Sequence, residues 1–203
     1  MSVQPSFNKM ISIDSLRTMI SNRLVAKGGA NRFSHILGVE ELCAQLASLY
    51  GVDESKARIA ALLHDSTKYD SEEEHIVRIV RSFAAKELAI WPKPFWHCLS
   101  AVDYAKVDCY IEDEDIHNAI LYHGSARPNM STLELILYVA DYAEPTRSFP
   151  NEHIRDIARN DLLAAFIQTL QEIVHHEQSL GHQLMDITLK ALSFYQSHLG
   201  GTT

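Results

Sequence analysis

Residues Leu62 to Asp70 read LLHDSTKYD, an apolar run that ends on a histidine and an aspartate side by side, with a lysine three positions later. The preceding ESKARIAA carries helical periodicity after Asp53, a good N-cap, so the doublet is expected at the C-terminus of a helix. Inside a regular helix, neighbouring side chains diverge by about 100°, and His64 and Asp65 could not face one point. At a helix end the backbone can turn and bring both to the same place. A buried helix that finishes on two metal-capable side chains is the feature to explain.

Outward from this stretch nearly every segment reads as helix, and no convincing alternating strand is present. Helices are expected over Ile13–Lys27, stopped by Gly28-Gly29, and over Asn31–Tyr50, with Phe33, Leu37, Leu42, Leu46 and Leu49 as its apolar face and Gly51 as its stop. Ser71 with Glu74 is a capping-box pattern opening a helix through Ala85. The prolines of WPKPF forbid a continuous helix there. Further helices are expected over Phe95–Lys106, over Asp113–Tyr122 and, after a second capping box at Ser131 and Glu134, to Glu144 before Pro145. Beyond PTRSFPN the chain reads as helical to His198, interrupted near Gly181. The expectation is all-α, a single helical domain over 1–203, with a motif core over 31–150 and C-terminal helices over 151–199.

Bulk numbers narrow the function. The 203 residues suit one domain with a sizeable core, and 46% hydrophobic with 22% charged residues is a globular composition. A net charge of -8 disfavours a nucleic-acid polymer as partner, because that affinity comes from clustered cations. Cys43, Cys98 and Cys109 are odd in number without CxxC spacing, which points away from disulfides and to a reducing compartment. MSVQPSFNKM has no signal-peptide pattern and no apolar run is long enough for a membrane span, so the cytoplasm is the expected location. The 11 histidines outnumber the 8 glycines, so the place of each histidine matters.

Five positions stand out near helix ends: His35, the His64-Asp65 doublet, His97, His123 and Asp141. Imidazole and carboxylate ligands suit Fe, Mn or Zn, and a carboxylate shared between histidine sets can bridge two metals. Asp141 lies in the apolar run LILYVADYAE, where a carboxylate is costly unless paired or metal-bound. Cations accompany the ligands: Arg32 three before His35, Lys68 three after Asp65, Arg127 four after His123 and Arg147 six after Asp141. Arg pairs with phosphate as a fork and Lys as a point charge, so a phosphorylated substrate is the natural expectation. The bland alternatives are packed histidines, a polar helix end at His64-Asp65 and solvated surface cations. His75, His117, His153, His175, His176, His182 and His198 are read as surface residues, and Trp91 and Trp96 as packing residues or an aromatic wall for a base.

The order His35, His64-Asp65, Asp141 resembles the HD-domain metal-dependent phosphohydrolases. NRFSHILGVEE, AALLHDSTKYD, ILYHGSARPNMS and YVADYAEPTRSFP are more specifically similar to the YqeK branch, symmetrical diadenosine tetraphosphate hydrolases. That resemblance implies two divalent metal ions, iron foremost, in a helical core. His35, His64, Asp65 and Asp141 would hold one ion, and His97 and His123 the second, with Asp65 bridging. Lys68, Asp65 and Asp141 would act at the reacting centre, and Arg32, Lys68, Ser125, Arg127 and Arg147 would contact phosphates. The partner would be a small dinucleoside polyphosphate or ADP, and the oligomeric state, monomer or homodimer, is left open. After His97 the chain reads CLSA, where a Pro and a Gly are common in relatives, and after His123 it reads GSARP in place of a motif nearer Thr-Thr-Gly-Arg-Pro. HQLMDITLKAL lacks the expected Pro. Alternative readings are a phosphohydrolase of the same type for another nucleotide, a nucleotide-sensing module without catalysis, and a di-iron oxygenase on a similar scaffold.

Overall fold

A computed structural model describes residues 11–199, with the side chains of 198 and 199 outside the description; the whole MSVQPSFNKM segment and the side chain of His198 therefore fall outside it. Among the described residues there is no strand, and eleven α-helices follow one another: α1 Ile13–Ala26, α2 Ala30–Tyr50, α3 Glu54–Leu63, α4 Glu72–Ser82, α5 Glu87–Ile90, α6 Trp96–Asp103, α7 Glu114–Tyr122, α8 Thr132–Ala143, α9 Glu152–Ala158, α10 Leu162–Ser179 and α11 Asp186–Leu199.

Local chemistry sets most of these boundaries. Asp53 caps α3 by accepting from the N–H groups of Ser55 and Lys56. The capping boxes at Ser71/Glu74 and Ser131/Glu134 are both formed, each with side chain and backbone satisfying one another. Gly51 ends α2 in the left-handed region at φ 67°, which costs glycine least.

Four expectations are corrected. The helix expected to reach Ala85 stops at Ser82, because Phe83 is extended (φ -131°, ψ 169°) and turns its ring into the core. The helix expected to Lys106 is regular only to Asp103, after which Tyr104–Asp108 widens into a π-turn closed by Cys109 N–H on the Tyr104 carbonyl. The C-terminal stretch breaks once more before Gly181, at Arg159–Asp161, where Asp161 caps α10. Finally, Leu37 and Leu49 of α2 are exposed, while Leu42 and Leu46 are buried as expected, on a face that also carries His35, Ile36, Val39, Cys43 and Ala47. A helix packed against α3, α8 and α1 at once buries a broad face, which no single leucine stripe marks.

One large core of buried residues runs through α1, α2, α3, α6, α7, α8, α9, α10 and α11; a smaller one gathers Ile79, Trp91, Trp96, Cys98 and Leu99 beneath the proline break. α2 packs on α3 and α8, and α7 on α8, α6 and α3, so the C-terminal ends of α3, α7 and α8 and the start of α6 meet in the interior. No described helix is long and apolar enough to cross a membrane.

Candidate metal centre

The turn that carries the doublet is held from outside. His64 is still in the helical region at the C-cap of α3, and the chain then runs through successive tight turns, Ser66 N–H to Leu63 O, Lys68 N–H to Asp65 O and Asp70 N–H to Thr67 O. Arg23 of α1 donates through Nε to the Ser66 carbonyl (2.8 Å) and through Nη2 to both oxygens of the buried Asp70 carboxylate. Thr67 Oγ1 donates to the His97 carbonyl (3.0 Å). These pins turn His64 and Asp65 inward together, to 0% and 1% exposure.

The other donors arrive from four elements. His35 stands on the second turn of α2, Asp141 in the last turn of α8, His123 at the C-cap of α7 and His97 in the first turn of α6, after the 3-10 turn Lys93–Phe95. His35 Nε2 lies 3.0 Å from Asp141 Oδ1, and His64 Nε2 lies 3.6 Å from the same oxygen and 3.5 Å from Asp65 Oδ2. On the other side Asp65 Oδ1 faces His97 Nε2 at 3.3 Å and His123 Nε2 at 3.7 Å. All six residues expected to hold metal are therefore brought to one place, with Asp65 between two sets.

The hydrogen-bond partners of the rings make the case for a cation. In each histidine Nδ1 faces an acceptor: Glu144 Oε1 for His35 (2.9 Å), Ala61 O for His64 (2.6 Å), Pro94 O for His97 (2.8 Å) and Ile120 O for His123 (2.7 Å). An Nδ1–H donated outward leaves the Nε2 lone pair pointing inward, the arrangement of a metal-bound imidazole. Two such nitrogens, Nε2 of His97 and Nε2 of His123, are only 3.2 Å apart. The Nε2 atoms of His35 and His64 and Oδ1 of Asp65 are buried with no hydrogen-bond partner. Buried acceptors left unpaired and aimed at one another are costly, and a cation between them removes the cost. The residues fit a divalent metal centre. The carboxylates are held charged for it. Burial alone would raise Asp65, yet its close neighbours His64, His123 and Lys68 keep its pKa well below the ordinary carboxylate range. Against the same burial, His35, His64 and Arg147 keep Asp141 low.

The predicted cations divide. Arg32 donates through Nε (2.6 Å) and Nη2 to Asp65 Oδ2, and Lys68 Nζ stands 3.0 Å from His97 Nε2 and 3.8 Å from Asp65 Oδ1. Both line a cavity of about 470 Å³ with Asp65, His97, His123 and Asp141. Arg147 donates to the Asp141 carboxylate (2.6 Å) and to its carbonyl, without lining that cavity. Arg127 forks onto the fully buried Glu134 (2.7 Å for each bond) and lies over the Tyr122 ring, away from the cavity wall. Ser125 is fully buried, its hydroxyl on the Ala126 carbonyl and its own carbonyl receiving Thr188. The geometry thus gives Arg127 and Ser125 structural partners.

Among the histidines read as surface residues, His117 is a correction: it is buried, with Nε2 on the Ile111 carbonyl (2.9 Å), because α7 turns that face to the core. His75 is half-buried and meets Ser100 Oγ at 2.7 Å. His182 is exposed but stands at the cavity rim beside Glu177, while His153, His175 and His176 are exposed as expected.

Two residues were not legible beforehand. Glu144 is fully buried, holds His35 Nδ1, and is itself fixed by Thr146 N–H (2.6 Å) and Oγ1 (2.7 Å). Its position three residues after Asp141, in the same apolar stretch, was the available signal. Cys98, also fully buried, puts Sγ 3.5 Å from His97 Nε2.

Residues 32–146 match the HD domain family. A protein of Halalkalibacterium halodurans named symmetrical bis(5'-nucleosyl)-tetraphosphatase is 38% identical over 141 residues, 69% of this chain and 75% of that one. One of the same name from Bacillus subtilis is 38% identical over 142 residues, 70% of this chain and 76% of that one. A crystal structure from Clostridium acetobutylicum, described as an HD superfamily hydrolase involved in NAD metabolism, superposes with a TM-score of 0.81 at 33% identity, covering 93% of this chain and 99% of that one.

Proposed function

This chain belongs to the HD domain family, and we propose that it is a metal-dependent hydrolase that cleaves diadenosine tetraphosphate symmetrically into two ADP. The observation that carries the reading is the set of inward imidazole nitrogens and unpaired carboxylate oxygen around Asp65, opening into a cavity that also presents Arg32 and Lys68. Relatives bearing the symmetrical tetraphosphatase name support the substrate.

His35, His64, Asp65 and Asp141 would hold one divalent ion and His97, His123 and Asp65 the second, iron being the first candidate for both. Bound ions supply Lewis acidity toward phosphoryl oxygens and lower the pKa of coordinated water toward neutrality. The chain's own residues do the rest. Asp65 presents one oxygen to each histidine set, and Arg32 on Oδ2 keeps the carboxylate ionised and in plane. Asp141, steadied by Arg147, positions the attacking water. Lys68, the cation nearest the second histidine set, neutralises charge that develops on the central phosphates, and Arg32 offers its remaining N–H on the same wall. The leaving ADP is a stable anion, so no strong general acid is required.

A dinucleoside substrate cut at its midpoint needs room on both flanks. A second cavity of about 880 Å³ adjoins the first through Pro92 and Gln183–Met185, with Trp91 on its wall. The three buried free cysteines agree with action in a reducing cytoplasm. Incubation with diadenosine tetraphosphate under several divalent metals, in air and without it, followed by chromatography, tests the reading. Two equivalents of ADP are expected in both atmospheres. AMP with ATP, or intact substrate beside turnover of another nucleotide, overturns the assignment.

A further inference from the structure

We propose that Cys98 is a ligand of the second metal position, making that half of the centre a mixed nitrogen, oxygen and sulfur site. The inference rests on the metal-centre reading above and extends it to a residue to which that reading gives no role.

The geometry is that of a coordination shell. Tetrahedral bonds of ~2.0–2.1 Å to nitrogen and ~2.3 Å to sulfur put two nitrogens about 3.3 Å apart and a nitrogen and a sulfur about 3.5 Å apart. His97 and His123 Nε2 are 3.2 Å apart, and His97 Nε2 and Cys98 Sγ are 3.5 Å apart. Asp65 Oδ1 faces the two histidines of this group, 3.3 Å from His97 Nε2 and 3.7 Å from His123 Nε2. Sγ and both nitrogens lie within 4.8 Å of one another. Independently of the cysteine, Asp65 Oδ1 is buried, aimed into this group and without a hydrogen-bond partner.

Local structure brings His123 against both His97 and Cys98. The latter two stand in the first turn of α6, directly after the Lys93–Phe95 turn. Gly124 lets the end of α7 come close, since a Cβ there would stand 3.4 Å from Cys98 Sγ and 3.2 Å from the Phe95 ring. Cys43 and Cys109, buried elsewhere, join no such group among the described residues.

Coordination forms the metal–sulfur bond and releases the thiol proton to solvent. A thiolate there favours softer ions, Fe(II), Co(II) or Zn, over Mg or Mn, whereas the His35, His64, Asp141 position carries only nitrogen and oxygen. The two positions therefore differ in metal preference.

Loading the metal-free full chain with Co(II) tests this by absorption, apart from any turnover. Visible ligand-field bands report bound cobalt, and a sulfur-to-cobalt band in the near ultraviolet reports a thiolate ligand. The ultraviolet band is expected in the wild type and in the C43A/C109A variant, where Cys98 is the only thiol left, and is expected to vanish in C98A and C98S. The double variant keeps the test sound should a Cys98 variant fail to fold. Visible bands with no ultraviolet band in the wild type overturn the ligation and leave the metal centre standing. An ultraviolet band that survives in C98S, or is lost in C43A/C109A while visible bands remain, also overturns it. Absence of visible bands altogether overturns the metal-centre reading and the proposal with it.

Discussion

Asp65 presents one carboxylate oxygen to each histidine set. Asp65→Ala is expected to bring bound metal and turnover to background while far-ultraviolet circular dichroism keeps its helical form. Elemental analysis showing wild-type metal in that variant removes Asp65 from the centre. Behind the ligands, Glu144 fixes the tautomer of His35 from 2.9 Å away. Outer partners of this kind are worth about 10–100-fold in metal affinity, so Glu144→Gln should weaken binding by that order in a metal titration, without loss of helicity. Arg127 is the opposite case. Its guanidinium is spent on the fully buried Glu134, which also closes the capping box of α8. Arg127→Ala strands that carboxylate and should cost roughly 2–4 kcal/mol, below the full buried-pair penalty because the arginine is partly exposed. Urea unfolding at unchanged m measures it. Unaltered stability with a raised KM would return Arg127 to the substrate.

Between elements, the closest approach that matters to the site is α2 against the end of α8. A Cβ on Gly38 would collide with the Glu144 carboxylate, its Cδ only 3.1 Å away. Glu144 has little freedom to yield, held as it is by His35 and twice by Thr146. Gly38→Ala should therefore weaken metal binding by about tenfold or more through the displaced carboxylate, although alanine is the better helix former by about 1 kcal/mol. Calorimetric metal titration separates the two effects: undiminished affinity with higher stability means that Glu144 is not needed in place. Glycine in mid-helix was visible in NRFSHILGVEE, but its neighbour lies more than a hundred residues away and no spacing rule reaches that far.

At the scale of the molecule, an ion-pair network ties α1, the turn after the doublet, α4 and α6 together. Arg23 and Arg78 meet Asp70, Arg78 and Arg81 meet Asp103, and Tyr104 lies between Arg23 and Arg78, 4.6 Å and 5.2 Å from their guanidiniums. Burial alone would raise the Asp103 carboxyl, but the bonds from Arg81, Ser82 and Arg78 hold it below its ordinary 3.8. A depressed folded pKa gives stability that is present above the unfolded value and lost as pH falls through the folded one. In the chelator-treated protein, Asp103→Asn should remove up to about 1.4 kcal/mol per pH unit of the acid-side slope below pH ~4. Urea unfolding across that range reads the slope independently of the general destabilisation. An unchanged slope would show that Asp103 does not drive acid unfolding.

Helix punctuation and donor chemistry were readable residue by residue. Ser71 with Glu74, Ser131 with Glu134, Asp53, Gly51 and the WPKPF break act within one or two turns, and local backbone chemistry obeys local rules. The choice of His35, His64, Asp65, His97, His123 and Asp141 as donors came from residue type and family resemblance. Only packing brought them within 4 Å of a neighbour, and it also sent Arg127 to Glu134, buried His117, exposed Leu37 and set Glu144 behind His35 across 109 positions of chain. A side chain's type is written where it stands, whereas its partner is decided by which helices share a core.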